Sequence, residues 1–90
     1  MSARVTHIRP DGGNEHKHIT HVKRVIPNGT PESVTVAEMV TYLDNGNRAH
    51  TLENGERAEI HVRRPSTGKP YIQTQADGQW SNNLLALPKF

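Results

Sequence analysis

The sequence predicts an α+β fold: one helix lying on one face of a mostly antiparallel sheet of about five strands, in the order β-β-α-β-β-β, with a C-terminal tail docked on the core. Three observations carry the prediction. A capped amphipathic stretch runs from Thr35 to Leu43, an alternating apolar and charged run follows Asn54-Gly55, and the last twenty residues hold the only Trp and the only Phe. Large apolar side chains at a chain end are stable only when that end is packed down. Residues 1–90 read as a single domain, with residues 1 and 2 loose and loops at 10–16 and 65–70.

Residues 3–9 form a strand on Val5 and Ile8, with imperfect alternation. Pro10-Asp11-Gly12-Gly13-Asn14 concentrates turn-forming residues and leads to a β-branched run, residues 18–26, so the two strands make a hairpin. Pro27-Asn28-Gly29 stops the second strand. Thr35 and Glu38 form a T-x-x-E capping box, Val34 and Met39 stand at the staple positions, and Val36, Met39, Val40 and Leu43 share one face, which predicts a helix over residues 36–45 ended by Asn45-Gly46. Residues 48–52 are a weak strand, and Asn54-Gly55 folds them back onto residues 56–64, where Ala58, Ile60 and Val62 alternate with charged residues. Residues 71–75 form a last strand before Asp77-Gly78 turns the chain. Ser81 is then placed to cap a short helical turn through Leu84 and Leu85, ended by Pro88.

The chain has no Cys, so neither a disulfide framework nor a thiolate zinc site is available. No run approaches the ~18 apolar residues of a membrane span, and Met1-Ser2-Ala3-Arg4 does not open a secretory signal, which makes the cytoplasm the expected location and excludes a membrane partner. The net charge of +2 is unevenly distributed. Residues 1–30 carry five Lys/Arg against two acids, residues 31–60 two against six, and residues 61–90 four against one, giving +3, −4 and +3.

The tail Asn82-Asn83-Leu84-Leu85-Ala86-Leu87-Pro88, preceded by Tyr71-Ile72-Gln73-Thr74 and Ala76-Asp77-Gly78, resembles the closing signature of a family catalogued as domain of unknown function 3892. His16-Lys17-His18-Ile19 is similar to the family's H-x-H-I lead into its second strand, and Ala37-Glu38-Met39-Val40 with Asn45-Gly46 is similar to its helix. The resemblance covers residues 16–90 and implies no catalytic residues; Asn82 stands where the family often has an acid.

Six His invite a metal reading, because His16 and His18 at i, i+2 on a strand point the same way. A third ligand would have to come from His7, His21, His50 or His61, with no H-E-x-x-H pattern to support it, so the two imidazoles are better read as bonding to backbone, and no metal or other cofactor is expected. If the strand led in by His16 and His18 lies beside the strand ending in Gln75, Asp77 accepts from an imidazole N–H while Trp80, Asn82 and Asn83 close over the same corner. His16, His18, Tyr71, Asp77, Trp80, Asn82 and Asn83 are therefore candidate ligand-binding residues, against the favoured reading of the corner as a latch that satisfies buried polar groups.

Lys23, Arg24, Arg57, Arg63, Arg64 and Lys69 are candidates for a basic surface, with Tyr71 as a stacking ring. Glu56 and Glu59 are interleaved with them, as on any solvated strand face. For catalysis, Ser66, Thr67 and Ser81 sit in turns without a nucleophile elbow, and Ser66-Thr67-Gly68-Lys69 has the wrong order for a phosphate loop. The expected function is therefore a small non-catalytic binding module acting through contacts with another protein or a second copy of itself. Nucleic-acid or nucleotide binding through the basic ends is the alternative, and a metal-dependent role through His16 and His18 the third.

Overall fold

The computed structural model describes residues 2–13, 15–27, 29–53, 55–76 and 78–90. It contains β1 (Ser2–Pro10), a 3₁₀ turn (His16–His18), β2 (Ile19–Val25), β3 (Glu32–Thr35), α1 (Val36–Asp44), β4 (Arg48–Glu53), β5 (Glu56–Arg63), β6 (Tyr71–Ala76) and β7 (Gln79–Ser81). All seven strands lie in one sheet, in the order β3-β2-β1-β4-β5-β6-β7. The α+β expectation of one helix on one sheet holds, while the strand number is seven instead of about five. The added strands, β3 and β7, are four and three residues long, too short for alternation to show in the sequence.

Every pairing is antiparallel except β1 with β4. The reason is the helix. β3 runs parallel to β1, and α1 carries the chain across the sheet face so that β4 starts beside β1, as a parallel connection requires. α1 forms as its sequence predicts: Glu38 N donates to Thr35 Oγ1 at 3.1 Å, and Thr35 N donates to Glu38 Oε1 at 3.1 Å. Val34 and Met39 are both buried, and the helix ends where Gly46 takes φ 90°. The Asn54-Gly55 hairpin also forms, with Glu53 opposite Glu56, although Asn54 itself lies outside the described residues.

The imperfect alternation of the first strand has a structural cause. Val5 pairs with Arg24 and His7 with Lys23, so Thr6 is the extra residue of a bulge, and the phase shift lets Ala3, Val5 and Ile8 all face the core. Ser2, expected to be loose, belongs to β1, and its Oγ hydrogen-bonds His50 Nδ1 at 2.6 Å.

The core joins these residues to Val22, Met39, Ile60, Ile72, Leu84 and Leu87. The last two come from the tail. Its turns place Leu84 and Leu87 at 0% and 1% exposure. The tail then runs beside β1: Ile8 N donates to Pro88 O at 3.0 Å and Phe90 N to Ile8 O at 3.2 Å. This position is free because β4 pairs with β1 only at Ser2–Arg4. Two expectations about the tail change. Trp80 is 42% exposed and does not close the core, and Ser81 belongs to β7, where its Oγ bonds Thr74 Oγ1 at 2.7 Å instead of capping a helix.

Candidate binding groove

The sheet is coiled enough that the 3₁₀ turn, at the start of β2, comes against β6 four strands away in the sheet order. β7 pairs with β6 only over Thr74–Ala76. Beside Tyr71–Gln73 there is instead a cleft of about 450 Å³, walled by Glu15, His16 and Lys17 from the turn and by Asn82 and Leu85 from the tail. A second cleft of about 450 Å³ lies between the start of β2, the first turns of α1 and the Lys69–Tyr71 run. Its lining is mostly apolar, with Ile19, Val36, Ala37, Val40 and Pro70 in its walls. The two clefts meet at Lys17 and Tyr71 and form one groove with a polar and an apolar half.

The polar half centres on His16, which is only 9% exposed. Burial, and secondarily the Arg63 guanidinium, holds its pKa below the ordinary 6.5, so the imidazole is neutral at pH 7. Its Nε2 has no hydrogen-bond partner among the described residues. Arg63 is fixed by donating from Nη1 to Gln73 Oε1 at 3.0 Å and by stacking on the Trp80 ring, 4.3 Å from its centroid. Among the described residues Arg63 and Lys69 have no carboxylate partner, and Lys17 has only the exposed Glu15 at 3.3 Å, a pair of little energetic weight.

The buried imidazole gives the protein an acid sensitivity. His50 shares the direction, lowered first by burial and then by Arg57. In both cases the unfolded chain takes up a proton before the folded one. Their stabilising contribution is thus complete above pH ~6.5 and is lost as pH falls through that value toward the folded pKa. Melting temperature is expected to fall between pH 7.5 and pH 5, with a shallower fall in His16→Gln; equal slopes in the two proteins would remove His16 from the account.

The structure brings His16, Tyr71 and Asn82 into the polar half and places Trp80 beside it through Arg63. His18 goes elsewhere. Because the two His lie in a 3₁₀ turn and not on a strand, they diverge: His18 Nδ1 accepts from Glu15 N at 3.1 Å, and its ring packs on Gly13, where a Cβ would meet it at 2.3 Å. The strand that His16 and His18 lead into, β2, does not lie beside β6 in the sheet, since it pairs with β1 and β3, and it is the 3₁₀ turn ahead of it that comes against β6. Asn83 is half-buried in the tail turn, where its carbonyl accepts from Ala86 N at 3.3 Å, and Asp77 lies outside the described residues. Among the described residues no three His, Asp or Glu are grouped to hold a metal ion.

The six basic candidates occupy different places. Arg24 bonds Glu32 at 3.0 Å, Arg57 pairs with Glu59 at 3.2 Å, and Arg64 pairs with Asp44. Lys23 lies over the Phe90 ring at 4.9 Å together with Arg9 at 4.5 Å, Arg63 is at the polar half, and Lys69 is at the apolar half. Sequence reasoning missed Lys17, Ile19, Ala37 and Pro70 as groove residues. Val36 and Val40 carried a signal, the apolar helix face, but that signal reads equally as core.

Fold and groove together define a small single-sheet α+β domain with one helix and an amphipathic surface groove. Over residues 4–88 the chain matches the family described as a protein of unknown function, DUF3892, and it belongs to that family. No curated protein and no solved structure matches it. Among the described residues no helix is long and apolar enough to cross a membrane.

Proposed function

We propose that the protein is a cytoplasmic, non-catalytic binding module that works through protein–protein contacts, and that the groove is where a partner segment lies. The observation that carries this reading is the meeting of two ~450 Å³ clefts at Lys17 and Tyr71, one apolar and one polar. An apolar slot takes an anchoring side chain, and neighbouring amide and phenol groups bond the backbone that continues past it. Gln73 and Asn82 supply those amides and Tyr71 the phenol.

The test is to pan a displayed library of random twelve-residue peptides against the intact chain. Peptides should be enriched that bind the wild type and lose binding to Ala37→Gln, a substitution at an exposed groove position that leaves the core untouched. No enrichment, or enriched peptides indifferent to Ala37→Gln, would sink the reading.

A second reading, polyanion binding, is favoured by one observation: Lys23 on Phe90 and Arg63 on Trp80 are cations on aromatic rings without a carboxylate partner among the described residues, and Arg9 lies over the Phe90 ring beside Lys23. Binding of mixed single-stranded oligonucleotides that weakens steeply with salt would move the assignment to it.

A further inference from the structure

We infer that the groove is selective for an acidic segment, one in which a carboxylate side chain stands within two residues of a branched or aromatic apolar side chain. The inference rests on the groove being a peptide site and specifies the partner's chemistry. Lys69 lines the apolar half without a carboxylate partner among the described residues. Lys17 stands where the halves meet, and its only ion-pair partner among the described residues, Glu15, is an exposed side chain two positions before it. Arg63 adds a third positive charge behind the polar half, close enough to His16 to oppose its protonation. Against these three cations Glu15 is, among the described residues, the one acidic side chain lining either cleft.

This charge arrangement sets orientation as well as attraction. The anchor enters between Val36, Val40 and Ile19, so a carboxylate next to it reaches Lys17 or Lys69 across the rim. A lysine or arginine at the same place in the partner would meet like charge. Rim charges of this kind govern association rate and choice of partner more than final affinity. A neutral His16 fits the same scheme, because it adds no fourth charge and leaves the polar half free for neutral hydrogen bonds to peptide backbone.

The test uses the peptides recovered by panning, resynthesised with each Asp or Glu replaced by Asn or Gln, against the wild type and the double variant Lys17→Glu/Lys69→Glu. The recovered sequences should be enriched in Asp and Glu, the neutralised peptides should bind several-fold more weakly, and the double variant should weaken the parent peptides by about tenfold at low salt, with the gap closing as salt rises. Both lysines line the surface groove, so a melting temperature within a few degrees of the wild type is expected. Peptides that are sensitive to Ala37→Gln but carry no acidic bias, or that bind the double variant unchanged, overturn the charge inference while leaving the groove. Failure to recover any peptide overturns both.

Discussion

Removal of residues 80–90 is expected to abolish cooperative folding. The truncation takes out Leu84 and Leu87, at 0% and 1% exposure, together with half-buried Leu85 and the backbone bonds that Pro88 and Phe90 make with Ile8. Each buried side chain is worth about 1.5–3 kcal/mol, while a domain of this size has roughly 5–15 kcal/mol in total. The loss also removes two members of the buried cluster to which Ile8 and Ile72 belong. The measurement is thermal denaturation followed by circular dichroism. A truncated chain that melts in a sharp transition would show that the tail is an appendage, and the milder Leu84→Ala should by itself cost about 2–5 kcal/mol.

The second large effect is at the helix. Met39→Ala should destabilise by about 2–5 kcal/mol, a fall in melting temperature on the order of 10 °C or more. Met39 is fully buried, projects from α1 into the sheet, and its Sδ accepts from Arg24 Nη1 at 3.6 Å. Arg24 in turn holds Glu32 of β3 at 3.0 Å and lies over the Tyr42 ring at 4.6 Å. One thioether thus ties helix, second strand and edge strand. Val40→Ala, on the same helix but only half-buried, is the comparison, and it should cost about 1 kcal/mol. Equal losses at the two positions would show that α1 rests on the sheet without a dominant anchor.

What was legible in the chain were features set by neighbouring residues. The capping box, the β4–β5 hairpin and the alternation of residues 58–62 each depend on a few adjacent side chains, and each is in the structure. β3 and β7 were not legible because they are short edge strands held by a single neighbour, β2 for one and β6 for the other. His16 was legible as unusual but not in its placement, since an H-x-H pair reads the same on a strand as in a 3₁₀ turn and only the turn sends the rings apart. Half of the candidate site was hidden for a different reason. Lys17, Val36 and Pro70 come from three separate segments, and nothing local to any of them indicates that sheet coiling will bring them to one groove.

The pairing of Ile8 with Pro88 and Phe90 also governs the order in which the molecule can be completed. The second half of β1 lacks an edge partner until residues 88–90 are in place; Arg9 Nε donates to Phe90 O across 81 positions of sequence. Contacts of such separation carry the largest loop-closure cost and are the last to repay it. A chain whose tail has not yet docked can assemble the β1–β2 hairpin, the helix and the β4–β5 hairpin, while Ile8 keeps an open edge and the Leu84 and Leu87 sites stay empty. The edge of β1 is therefore completed only when residues 88–90 dock, and until then it is open to pairing with another chain.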